Sequence, residues 1–132
     1  MSDDNSLKVK LLHAFYQNGE HDSCIKLGRE LANDKQFVNA PERISLANAY
    51  HKLGQSDEAI REFESMDRPF TNFEHRYAYA CYLAEVGNIA TAKEKVNEVL
   101  SETEMMKGLE RKTHRDAINK MRDLSRQLEN AR

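Results

Sequence analysis

The residues with nucleophilic or metal-binding chemistry of their own are two cysteines and five histidines, and their spacing argues against both uses. Cys24 and Cys81 sit inside helical patterns with no CxxC around either, so neither a disulfide framework nor a zinc knuckle is indicated, and a reducing compartment fits. His13, His21, His51, His75 and His114 form no HxH or HxxxH pair. An enzyme would need a nucleophile beside a base, paired carboxylates in a pocket, or a glycine loop to cradle phosphate. The glycines here are isolated turn residues, and Glu62, Glu64 and Asp67 read as a solvated face. No catalytic residue, metal ligand or cofactor is assigned, and the expectation is a non-enzymatic chain.

Charge is the other available chemistry. The 132 residues carry a net −2, but from Met105 onward eight Lys and Arg oppose four acids, giving +4 there and −6 before it. Arg111, Lys112, Arg115, Lys120, Arg122 and Arg126 suit nucleic acid phosphates or an anionic surface. Asp116, Asp123 and Glu129 are interleaved, and Asp116 with Lys120 or Asp123 with Arg126 has the spacing of a helical ion pair. A salt-bridged cap is therefore the preferred reading, with nucleic acid or anionic-surface binding as the alternative. Met105, Met106, Leu109, Ile118 and Leu128 add apolar surface for self-association, so the expected state is a monomer or weak homodimer.

These residues must be positioned by helices. With 39% hydrophobic and 32% charged residues, two prolines and no Val-Ile-Thr strand runs, the chain is expected to be all-α and a single domain over residues 1–132. Ile44, Leu46, Ala47, Tyr50 and Leu53 recur at helical steps; Gly54 stops them; Ala59, Ile60, Phe63 and Met66 restart them, with Ser56 or Asp57 as cap. Before this unit, Leu7, Leu11, Leu12 and Phe15 form one stripe, Asn18-Gly19 a turn, and Cys24, Ile25, Leu27 and Leu31 a second stripe. After it come Tyr77, Tyr79, Ala80 and Leu83, the turn Val86-Gly87-Asn88, then Ala92, Val96, Val99 and Leu100. Asp3, Asp4 and Asn5 suit the first helix N-terminus, Pro41 the first turn of the third helix, and Thr71 with Glu74 a capping box. Ser101 to Glu104 can cap a new helix and Gly108 can interrupt one, so that boundary stays open. A last helix, about 109–130, carries Ile118, Met121, Leu124 and Leu128 on one edge, expected to cover Val96 and Val99. Seven helices result.

Gly19, Gly54 and Gly87 are spaced 35 and 33 apart. Aligning on them superposes Leu12, Ala47 and Ala80, then Phe15, Tyr50 and Leu83, then Cys24, Ala59 and Ala92. The pattern resembles the tetratricopeptide repeat family, with repeats of about 6–39, 40–72 and 73–104. The middle repeat matches best, through Ala47, Tyr50, Gly54, Ala59 and Phe63, whereas Gly28 and Val96 replace the aromatic that Phe63 supplies.

The resemblance implies a right-handed α-solenoid whose first helices line a concave groove for a peptide or helix of another protein. The implied groove residues are Val9, His13, Tyr16 and Gln17; Ile44, Asn48, His51 and Lys52; and Tyr77, Cys81 and Glu85. A metal or redox site from Cys81 with His13 and His51 is set aside for lack of ligand spacing; His21, His75 and His114 are expected on exposed turns or helix surfaces. One branch of the family grips a chaperone C-terminal carboxylate with lysine, asparagine and arginine. The corresponding positions here hold Val9, His13, Ser45, Glu74 and Ala78, so that ligand is not expected. The implied partner is another protein, not a small-molecule substrate. No apolar run reaches the ~18 residues of a bilayer span and the start lacks a signal pattern, so a cytoplasmic chain, or a cytosolic part of a longer one, is expected. Gly54 is expected to be held by its turn and by a close neighbouring helix, and Gly28→Ala to be neutral or mildly stabilising.

Overall fold

The computed structural model describes residues 5–130, and Asp3 and Asp4 lie outside them. The described residues are all-helical: α1 (Ser6–Gln17), α2 (His21–Glu30), α3 (Lys35–Val38), α4 (Arg43–Lys52), α5 (Ser56–Met66), α6 (Phe73–Glu85), α7 (Ile89–Glu104), α8 (Gly108–Thr113) and α9 (Arg115–Glu129). The count exceeds the expected seven through two short helices. The Asp34 carboxylate accepts the Gln36 N–H at 2.8 Å and starts α3, whose Phe37 is buried. The helix expected over 109–130 is divided at His114, whose ring packs on that of Phe73 with centroids 4.7 Å apart. Nearby, Arg111 donates to the Thr103 and Glu104 carbonyls at 3.0 and 2.8 Å, capping the end of α7 and turning the chain back on it.

The three glycine turns share one geometry. Gly19, Gly54 and Gly87 have φ of 77°, 77° and 87°, the left-handed conformation that a side chain disfavours. In each, the glycine N–H bonds the carbonyl three residues back and the next N–H the carbonyl five back, as in Glu20 to Phe15, Gln55 to Tyr50 and Asn88 to Leu83. This double bond pattern satisfies carbonyls that the helix end leaves open. The expectation of a close helix at Gly54 is corrected: a Cβ there would meet nothing within 4 Å, so backbone conformation alone requires glycine.

Two compact units divide the chain, one up to Ser65 and one from Met66 on. In the first, α1 and α2 form a hairpin, and α4 packs on both. Leu12, Cys24, Ile25, Leu31, Phe37, Leu46 and Ala47 are buried. The stripe assigned to α1 needs correction, because Leu7 is 79% and Leu11 46% exposed while Val9 is buried. With α4 and α3 both against α1, the buried side follows Val9 and Leu12, three residues apart, instead of Leu7 and Leu11. Gly28 is the close-approach glycine. A Cβ built there would lie 2.6 Å from a Leu46 methyl, and Leu46 is itself buried, so the expectation that Gly28→Ala is neutral or mildly stabilising is corrected: the added methyl must push Leu46 aside. Asn5 does not cap α1 through its side chain; its amide instead reaches the Asp34 carboxylate at 2.6 Å. Pro41 lies in the turn before α4, where its carbonyl accepts the Ile44 N–H.

In the second unit, α6 and α7 form the hairpin, and α9 packs on both. Ile118, Met121, Leu124 and Leu128 are buried along with Val96 and Val99, as the apolar edge of the tail indicated. The capping box at Thr71 does not form. Asn72, at φ 52°, precedes α6 without a side-chain cap, and its amide donates to the Met66 carbonyl at 3.0 Å. Behind this entry lies a buried ionic network. The Arg76 guanidinium, 3% exposed, donates to Glu102 through two nitrogens at 2.7 Å each and to Asp67 at 3.0 Å, while Lys95 pairs with Asp67 at 2.9 Å. Glu102 also accepts the Phe70 N–H at 2.7 Å.

Candidate functional site

In the first unit the implied groove residues come from matching faces of α1 and α4. The steps 9, 13, 16, 17 and 44, 48, 51, 52 each follow a helical stripe. Val9 leaves the set because it is buried in the core. His13 is half-buried, and its Nδ1 lies 2.6 Å from the Ser45 hydroxyl, which ties α1 to α4. A Ser–His pair is also the core of a nucleophilic site, but Ser45 is 5% exposed and the bond joins two packed helices, which makes it a strut. Tyr16, Ile44, Asn48 and His51 are half-buried, and Gln17 and Lys52 are exposed. Tyr16 is steadied by the His21 ring at 5.4 Å. This face offers an aromatic, an amide, an imidazole and an aliphatic edge on two helices held in register.

The corresponding face of α6 is narrower. Tyr77 and Cys81 are half-buried and hydrogen-bonded to each other, and Glu85 is exposed. Lys120 of α9 stands 5.8 Å from the Tyr77 ring centre and 3.5 Å from Glu74, so α9 occupies the approach to Tyr77. Hydrogen bonding to Cys81, then burial and the nearby carboxylates, push the Tyr77 phenol up to about 12. Burial raises the Cys81 thiol, and Tyr77 and Lys120 only partly offset it. Cys24 is pushed up to about 11 by burial. Both thiols are thus held protonated at neutral pH, the opposite of a reactive cysteine.

Of the other residues singled out, His75 is corrected from exposed to buried. It lies on the packed side of α6 with Tyr79 and Tyr82, four and seven residues on, while Glu74 and Glu85 mark the helix's open side. His21 and His114 are half-buried against Tyr16 and Phe73. Among the described residues, no three of His, Cys, Asp and Glu are placed to hold a metal ion, and no helix is long and apolar enough to cross a membrane. The apolar tail set divides: Met105 and Leu109 are 75% and 78% exposed, while Met106, Ile118 and Leu128 are buried. The ion pairs divide as well. Asp123 meets Arg126 at 2.8 Å, whereas Lys120 turns to Glu74 instead of Asp116. Sequence reasoning missed the Arg76 network, since Asp67, Arg76, Lys95 and Glu102 have no common period.

Comparison of the chain with protein-family models, with curated proteins and with solved structures gives no match.

Proposed function

We propose that the chain is a non-enzymatic protein-interaction module that takes an extended or helical segment of a partner protein on the first helices of its hairpins. The tetratricopeptide likeness, with its right-handed solenoid, belongs to the same proposal. The observation that carries it is the α1–α4 face. Tyr16, Asn48 and His51 remain partly open on two helices that are fixed to each other by the His13–Ser45 bond. A rigid face of aromatic and amide groups with little net charge suits a segment anchored by one or two apolar side chains and by backbone hydrogen bonds.

The test is a capture from cell lysate followed by titration of the captured partner's binding segment. Tyr16→Ala with His51→Glu should weaken that segment by about tenfold or more, because truncating a central aromatic anchor removes a large share of the binding energy. The affinity should hardly respond to salt, unlike binding by several cations. Full affinity in this variant, with loss on reversing Arg115 and Arg122, would move the function to the tail.

A further inference from the structure

The six cations of α8 and α9 fall into two groups. Lys120 and Arg126 have carboxylate partners, Glu74 and Asp123. Arg111, Lys112, Arg115 and Arg122 have none among the described residues. These four line one cleft of about 340 Å³ where the end of α7, α8 and α9 meet, together with Thr103 and Asn119, and no acid lines it. The steps 111, 112, 115, 119 and 122 place them along one side of the chain as it passes from α8 into α9. Arg111 is held in place by the Thr103 and Glu104 carbonyls, contacts that orient its guanidinium without neutralising its charge.

Four like charges around a concavity repel one another, and the walls focus their field into it. A bound anion lowers that energy beyond what screening by bulk salt achieves. Arginine forks favour phosphate through paired N–H bonds, and the cleft is of small-ligand size. We infer that this cleft is a binding site for a compact ligand carrying two or more phosphate groups, either free in solution or as a lipid headgroup. The site is separate from the α1–α4 face and stands whether or not that face binds a partner.

The experiment is titration calorimetry of the full chain with sodium tripolyphosphate. One-to-one binding is expected, weakened about tenfold or more by Arg115→Gln with Arg122→Gln, since each lost cation removes a phosphate contact. Arg111 is left intact because it caps α7. Lys120→Gln with Arg126→Gln removes the same charge elsewhere on α9 and should change affinity by less than about threefold, the share owed to net charge alone. Circular dichroism melts check that both variants fold.

Phosphatidylcholine vesicles with about 5% phosphatidylinositol bisphosphate separate the two sources. Co-sedimentation lost in the Arg115/Arg122 variant assigns a headgroup, and tripolyphosphate binding without co-sedimentation assigns a free ligand. No saturation by tripolyphosphate, or equal losses in the two double variants, overturns the inference. So does an affinity for single-stranded oligonucleotide that exceeds that for tripolyphosphate and rises with strand length, which would make the cleft part of a nucleic acid track.

Discussion

Up to Ser65 the chain seats α2 of its first hairpin on α4 through apolar contact at a glycine; from Met66 on it joins the two helices of its hairpin, α6 and α7, through buried charge. Both units contain the same run: two helices joined by a positive-φ glycine, a short helix, then a helix packed on both members of the pair; the first unit adds a second glycine turn and α5 up to Ser65. They differ at matching positions. Nine residues after the turn glycine the first unit has Gly28, which admits Leu46, and the second has Val96, which packs in the layer that α9 covers. The second unit adds the network of Arg76, Asp67, Glu102 and Lys95; among the described residues of the first, Arg43 pairs with Glu62 at 2.9 Å, but with less of both side chains buried than in the pairs of Arg76. One topology is thus secured by two kinds of force. A joint made by volume depends on a methyl group, and a joint made by charge depends on every partner and on its protonation.

The largest effect is expected where charge is buried. Arg76→Ala leaves the carboxylates of Asp67 and Glu102, each about one-eighth exposed, without their guanidinium, and should cost about 3–5 kcal/mol in chemical denaturation. A loss under about 1 kcal/mol, the worth of a surface pair, would place the network at the solvated surface and erase the contrast.

A smaller effect separates the glycines. Gly28→Ala gains up to about 1 kcal/mol of helix propensity but forces the Leu46 methyls aside, for a net loss of about 1–2 kcal/mol. Adding Leu46→Ala should be clearly less than additive, because the two changes meet at one contact. Gly54→Ala should cost about 1 kcal/mol through its backbone alone. Additivity at 28 and 46 would remove the volume-controlled joint from the first unit.

These sites also mark what could be read in the sequence. The turns were legible because a left-handed helix end asks for glycine, and three glycines at nearly equal spacing each come seven residues after a fully buried Leu12, Ala47 or Ala80 and five before a fully buried Cys24, Ala59 or Ala92. The tail's apolar edge was legible for the same local reason. Which side of α1 is buried was not, since Val9 displaces Leu7 and Leu11 only once α3 and α4 are in place. Nor was Gly28: its neighbour Leu46 is distant in the chain, and a glycine inside a helix carries the same local pattern whether or not another helix fills the space. Of the implied binding face, Tyr16, Asn48 and His51 stay open while Val9 is buried and Tyr77 is shared with Lys120. The covering of Tyr77 was set by α9, whose register on α6 no spacing encodes.

Acid should part the two units. Burial alone would push the Glu102 carboxyl up, but hydrogen bonds from Arg76 and the Phe70 N–H, with the charge of Arg76, hold it below its ordinary value of 4.5. A depressed carboxyl contributes its full stability above the unfolded-chain value and loses it as pH falls through the lower folded one, so the loss belongs below about pH 4. The Gly28–Leu46 contact has no titrating group. Amide hydrogen exchange resolved by residue, compared at pH 7 and pH 3 after correction for intrinsic rates, measures the difference directly. The account predicts that α6 and α7 lose far more protection than α1, α2 and α4; equal losses, or earlier opening of α1 and α2, would contradict it.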